Sequence, residues 1–148
     1  VLSTRTIRGL ATAALLCTGI LTSGLVNATS ASAVTVPKLV VTPSTGLHNH
    51  TVVTVSGTGF KHHDTVYITE CQVSAKGEAG CDIFTAVPVK ISATGVMPKT
   101  KFKVVTGTVG NGRCGTTATN LKKCAVSAGN VNGGDSAVFK ITFALPKA

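Results

Sequence analysis

From residue 38 onward the chain is a succession of short runs rich in Val, Thr and Ile, each soon cut off by glycine, proline or asparagine. β-Branched residues are stiff in a helix and pack well on a pleated surface, so runs of this kind favour strands. Seven strands are expected, over residues 38–42, 51–56, 65–73, 85–91, 99–106, 122–127 and 137–143. The intervening residues 43–46, 57–59, 76–80, 93–95, 107–112 and 129–134 read as glycine-rich turns and loops. No run has the length and period of an ordinary helix, which leaves no crossover for a parallel sheet. The expected architecture is all-β, a seven-stranded immunoglobulin-like sandwich held by two disulfides.

The first 33 residues stand apart from this rhythm. Arg5 and Arg8 precede an apolar run over 9–26, and Ala31, Ser32 and Ala33 place small residues before a cut. That is the pattern of a secretory signal peptide, cleaved after Ala33. Leu15 and Leu16 precede Cys17 where a lipoprotein signal needs small residues, so lipidation is not expected. The division is thus a signal peptide over 1–33 and one β-sandwich domain over 34–148, secreted, monomeric and without a membrane span. Of the 14 basic residues, Arg5 and Arg8 leave with the signal, so 12 face 5 acidic ones and the mature net charge is +7. Such a charge favours anionic partners, whether nucleic acid, envelope polymer or membrane surface.

Export also governs the cysteines. Without Cys17, four remain: Cys71, Cys81, Cys114 and Cys124. An even number in an exported domain reads as two disulfides, although four cysteines allow three pairings and sequence does not choose among them. The two ten-residue separations make Cys71–Cys81 and Cys114–Cys124 the simplest arrangement. Each would contribute roughly 3 kcal/mol by loop closure. The absence of a CxxC pair disfavours a zinc site.

Alternation adds detail within the strands. Lys99, Lys101 and Lys103 share one face of the fifth strand, opposite Thr100, Phe102 and Val104. In the last strand Phe139, Ile141 and Phe143 are expected in the core, opposite Val138, Lys140 and Thr142. The lysine stripe, with Lys122 and Lys123 as further candidates, is suited to weak contact with nucleic acid or another anionic polymer. It equally protects an exposed strand from edge-to-edge pairing, and no aromatic residues interleave with it to stack bases. His48 and His50 precede the second strand and His62 and His63 follow it, a separation of roughly 20 Å that argues against one shared metal site. Asp64, Glu70, Glu78, Asp82 and Asp135 include carboxylate pairs, but no nucleophile motif accompanies them, and no enzyme is expected.

The segment Val41-Thr-Pro-Ser-Thr-Gly-Leu47, followed by Thr51-Val-Val-Thr-Val-Ser-Gly-Thr-Gly-Phe60, resembles the opening of the neocarzinostatin family. Cys71 and Cys81 match its first disulfide hairpin, Cys114 and Cys124 resemble its second local disulfide, and Gly129-Asn130 with Lys140-Ile-Thr-Phe143 resembles its last loop and strand. The resemblance implies a sandwich with an end cleft that carries, non-covalently, an apolar enediyne-type antibiotic chromophore whose target is DNA. By the same resemblance the ligand-binding positions are Cys71, Val73, Cys81, Phe84, Ser127 and Gly129. Val73 stands where a well-known member has tryptophan, residues 107–113 lack the aromatics of the family's long loop, and the domain is basic where known carriers are acidic. The alternative reading is an exported immunoglobulin-like module that binds an anionic envelope polymer or a protein through its basic face.

Overall fold

In β1 (Lys38–Thr42) Leu39 and Val41 are buried between exposed neighbours, and β2 (Val52–Thr58) buries Val53 and Val55 in the same two-residue rhythm. The computed structural model describes residues 35–74 and 76–145, all within the unit Ala33–Ala148. The expected signal peptide, its cleavage point and Cys17 lie outside the described residues. β5 (Met97–Lys103) pairs with β2, giving an antiparallel sheet in the order β1-β2-β5. The second sheet contains β3 (Thr65–Gln72), β4 (Val87–Lys90), β8 (Cys124–Gly129) and β9 (Ser136–Ile141) in the order β4-β3-β8-β9, again antiparallel. β6 (Gly107–Val109) and β7 (Gly112–Cys114) form a separate two-stranded ribbon.

The core lies between the two larger sheets. Leu39, Val53 and Phe102 from one meet Ile68, Val126 and Ile141 from the other, all buried. Burial of each such side chain stabilises by roughly 1.5–3 kcal/mol. Leu47 and Phe143 close one edge, where the Leu47 N–H donates to the Thr142 carbonyl at 3.1 Å and the Ala144 N–H donates to the Leu47 carbonyl at 2.8 Å. Both disulfides form between the cysteines ten residues apart, Cys71 with Cys81 and Cys114 with Cys124. The second ties the ribbon to the head of β8.

The seven strands of the two larger sheets correspond to the seven expected, with corrected boundaries. The fourth begins at Val87, not at 85, because residues 83–85 wind into a 3-10 turn whose Thr85 hydroxyl donates to the Asp82 carboxylate at 2.9 Å. The fifth occupies Met97–Lys103, ending before 106, because the Val105 N–H is diverted to a side chain of the other sheet. The sixth expected strand, β8, starts at Cys124 instead of 122. Asn120 holds the preceding turn by accepting the Thr116 and Thr117 N–H groups at 2.8 and 2.9 Å. The last strand ends at Ile141, and Phe139 is only half-buried.

The ribbon corrects the reading of 107–112 as a loop, and it is packed hard against its neighbours. The Gln72 carboxamide, with its oxygen toward the ribbon, accepts the Gly112 and Arg113 N–H groups at 3.0 and 2.6 Å. At the ribbon's tip the Asn111 N–H donates to the Ala79 carbonyl at 2.9 Å, in the hairpin closed by Cys71 and Cys81. Gly110 has φ +54, and a Cβ there would lie 2.6 Å from the Ala79 oxygen. Only glycine lets the two backbones approach this closely.

One inward residue of β3 breaks the apolar pattern. Glu70 is 1% exposed, its Oε2 accepts the Val105 N–H at 2.8 Å, and its Oε1 has no partner among the described residues. Burial pushes its pKa up to about 7, the Val105 hydrogen bond opposes the rise, and the Asp82 carboxylate adds to it. Its carboxylate lies within 4.8 Å of the Cys114 and Cys124 sulphurs, but the disulfide leaves no thiolate there for a metal.

Two predictions follow from these contacts. A carboxyl whose pKa is raised on folding adds stability below its unfolded value, and that stability is lost as pH rises through its folded value of about 7. Thermal unfolding followed between pH 5 and pH 8 is therefore expected to show a falling Tm. Glu70→Gln, which keeps an acceptor for Val105, is expected to flatten that fall by on the order of 3 kcal/mol. In denaturant titrations Gly110→Val is expected to lower stability by about 1–3 kcal/mol, because the ribbon must withdraw from the hairpin.

Candidate functional site

The outward face of the four-stranded sheet is where β3 and β8 place side chains away from the core. Tyr67 pairs with Gly129 and Thr69 with Ser127, so these four residues form a patch of floor two strands wide. The small residues on β8 leave depth beside the Tyr67 ring. Beyond Thr69 the same face carries Cys71, whose disulfide to Cys81 pulls the following hairpin over the floor. That hairpin is shaped by two 3-10 turns, Glu78–Gly80 and Ile83–Thr85, and is locked to the sheet where the Asp82 N–H donates to the Glu70 carbonyl at 2.8 Å.

Floor, hairpin and the β8–β9 loop enclose a cleft of about 300 Å³, the lower end of the range for small-molecule sites. Ile83 and Ala86 form the hairpin wall, Asn130 and Val131 the opposite wall, and Glu78 is the one acidic residue at the lining. The Asn130 wall is held from below: its Nδ2 donates to Asp64 Oδ2 at 2.8 Å, and its Oδ1 accepts the Asn132 and Gly134 N–H groups at 3.2 Å each. The Asn130 bond, followed by the Thr65 N–H on the other carboxylate oxygen, holds the Asp64 carboxyl below its ordinary pKa. A second recess of about 500 Å³ lies on the far side of the hairpin, between Phe84 and the ribbon tip at Gly110 and Asn111.

Of the candidates named from sequence, Cys81, Ser127 and Gly129 line the cleft. Phe84 stands 96% exposed over the adjoining recess, which shares the Cys81 and Ile83 wall. Cys71 is buried under the bridge it forms, and Val73 lies beyond the end of β3, its N–H donating to the Lys123 carbonyl at 2.8 Å; neither lines the cleft. Tyr67, Thr69, Ile83 and Val131 were not anticipated. The alternation of Tyr67 and Thr69 with the buried Val66 and Ile68 was the available signal. Tyr67, Ile83 and Val131 are exposed apolar groups around the cleft, and Phe84 is exposed over the adjoining recess.

The other candidates sit elsewhere. His48, His50, His62 and His63 are exposed in the loops on either side of β2. Lys99, Lys101 and Lys103 are exposed on β5, whereas Lys122 and Lys123 precede β8 in the other sheet and do not extend that stripe. Among the described residues, no helix is long and apolar enough to cross a membrane.

The neocarzinostatin family model matches residues 39–143. Macromomycin of Streptomyces macromomyceticus is 34% identical over 113 residues, covering 73% of this chain and 77% of that protein. A solved macromomycin structure is similar with a TM-score of 0.57 at 35% identity, over 73% of this chain and 99% of that one. The solution conformation of apokedarcidin matches 72% of this chain and 96% of its own at 26% identity and a TM-score of 0.49. The family match runs from within β1 to beyond β9 and so takes in both sheets, both disulfides and every wall of the cleft; the chain belongs to the neocarzinostatin family and is, with its members, not an enzyme.

Proposed function

We propose that this chain is the secreted, monomeric carrier of an apolar, partly planar small molecule held non-covalently in the cleft over Tyr67, Thr69, Ser127 and Gly129. The observation that carries the reading is the cleft itself: a largely apolar recess on a basic domain, with its wall stiffened by a disulfide. Family membership points to an enediyne-type antibiotic chromophore as the cargo, an antimicrobial agent that acts on DNA after release. The signal-peptide pattern of residues 1–33 supports export.

The side chains suit that work. Tyr67 offers a ring face and a hydroxyl at the floor, Ile83 and Val131 offer apolar walls, and Ser127 and Thr69 offer hydroxyls to orient a polar edge. Phe84, free of packing on the hairpin, can stack on ligand that projects from the cleft. The alternative class, a module that binds an anionic polymer through its basic face, does not compete for this space, because the lysine stripe lies on the other sheet.

Protein purified from its own producer is expected, by native mass spectrometry and absorbance, to carry a non-covalent chromophore; apoprotein alone would count against tight carriage. With recombinant protein and a neutral naphthalene fluorophore, Tyr67→Ala is expected to weaken binding about five-fold or more, the loss of at least ~1 kcal/mol. Ser127→Phe should fill the floor and abolish binding while leaving the unfolding transition in place. Unchanged affinity in both variants would place the probe outside the cleft.

A further inference from the structure

Besides Glu70, one other acidic side chain is buried: Asp135, 5% exposed, just ahead of β9. Among the described residues its carboxylate makes one hydrogen bond, in which Oδ2 accepts the Lys61 N–H at 2.8 Å, and Oδ1 meets no donor. A carboxylate taken this far from water is costly unless a cation or further donors face it. Unlike Glu70, Asp135 lines an opening, a recess of about 770 Å³ bounded by residues 35–37, residues 59–62 and the β8–β9 loop. The other titratable side chains at its lining are Lys61 and His62, both exposed, and Asp64 lies behind Asn130, whose amide engages it. The chain itself enters this recess from its N-terminal side. β1 and β2 pair with Lys38 opposite Thr58, and the two segments stay side by side beyond the ladder: the Thr35 hydroxyl donates to the Gly59 carbonyl at 3.4 Å, and a Cβ on Gly59 would lie 3.0 Å from the Val36 oxygen. Continued by three residues, that register brings Thr35 opposite Lys61, the residue whose N–H Asp135 holds. Val34, the first residue after the expected cut at Ala33, is one residue further, about 3.5 Å of chain.

We propose that the recess receives the α-ammonium that processing creates at Val34, which pairs with Asp135 Oδ1 and so fixes the outer wall of the cleft. In the uncleaved chain the Val34 nitrogen is an uncharged amide. Hydrolysis of the Ala33–Val34 peptide bond consumes one water and leaves a carboxylate on Ala33 and an ammonium on Val34, so the cation exists only in the exported form. A charged donor facing a carboxylate at the end of a partly enclosed recess is the kind of hydrogen bond that holds a loop in place. The cleft wall is held with it because Asp135 and Asn130 are joined: the Asn130 N–H donates to the Asp135 carbonyl at 3.3 Å, and Asn130 lines the recess on one side and the cleft on the other. The inference rests on the export reading of residues 1–33 and is independent of what the cleft carries.

The mass of the exported protein reads the start at Val34 separately from what its ammonium does. In that mature protein the α-amine, titrated by NMR, is expected to hold its proton about tenfold more tightly than an ordinary α-amine. In Asp135→Asn, which keeps an acceptor for the Lys61 N–H, it is expected to return to ordinary behaviour. An amine whose folded pKa is raised adds stability below its unfolded value of about 8, and that stability is lost as pH rises through the folded value, a window above that of Glu70. Acetylation of the α-amine and Asp135→Asn are each expected to lower the Tm at pH 7, and together to lower it no further than the larger of the two. Amide shift differences between the free and the acetylated wild-type protein are expected at residues 130–135, a readout independent of any variant's folding. A start other than Val34, an α-amine with ordinary proton affinity, additive losses of Tm, or shift differences confined to residues 35–37 would overturn the proposal.

Discussion

The antiparallel pairing of β3 with β8 is the interaction on which core and cleft both depend. Its register sets Ile68 against Ala128 and Glu70 against Val126 on the inward side, and Tyr67 against Gly129 and Thr69 against Ser127 on the outward side. Because side chains alternate with a period of two, a slip of one residue would exchange the two sets, bringing the cleft floor into the core and exposing Val66 and Ile68 to solvent. The neighbours β4 and β9 flank this pair, so its backbone groups are satisfied on both sides and the floor is a central, not an edge, part of the sheet. A rigid floor is what a binding site needs if its cargo is to be held in one pose.

Around that ladder, structure has been diverted to hold up one wall. The strand after β5 gives up the Val105 N–H to Glu70, a buried carboxylate with its second oxygen unpaired. Burying a carboxylate in this way is costly, and an apolar residue at the same place would stabilise the core. Glu70, however, joins three elements. Its side chain holds the crossing from β5 to the ribbon, its carbonyl accepts from Asp82 in the hairpin, and its carboxylate abuts the Cys114–Cys124 bridge. The ribbon in turn touches the hairpin through Asn111 and Ala79. Hairpin, ribbon and floor are thereby linked in a closed circuit, which explains how a wall made only of two 3-10 turns keeps its place beside the cleft.

The fold was legible because it is written in local patterns. Period-two alternation in 38–42 and 51–56, glycine at the turns and an even cysteine number after residue 33 are all read from the chain without its tertiary contacts, and each corresponds to what the structure shows. The strand ends were less legible because distant groups decide them. Asn120 delays β8 through two backbone donors, and Glu70 stops β5 from a residue 35 positions away. The ribbon was hidden for the same reason: 107–112 is glycine-rich, and its strand character comes from Gln72 and from the Cys114 bridge. The site was legible in part. Ser127, Gly129 and Cys81 could be carried over by resemblance, but Tyr67 and Val131 belong to it only because the β3–β8 register and the Asp64–Asn130 tether bring them to one opening.

The cleft also shows how a site can be apolar without tryptophan. Depth arises by subtraction: β8 points Ala125, Ser127 and Gly129 outward, the smallest side chains available, beside Tyr67 and under the overhanging hairpin. A larger residue at 127 or 129 would bring the floor level with its rim. The walls are then lined by whatever apolar groups the hairpin and the β8–β9 loop expose, here Ile83 and Val131, with Phe84 in reserve at the edge. Exposed apolar area of this kind is a liability in a free domain and is tolerated where a ligand covers it. The lysines of the other sheet offset that liability, since they keep one outer face charged and free of the pairing that an uncharged edge strand invites. With apolar recess and basic face on opposite sheets, filling the recess leaves the lysines uncovered.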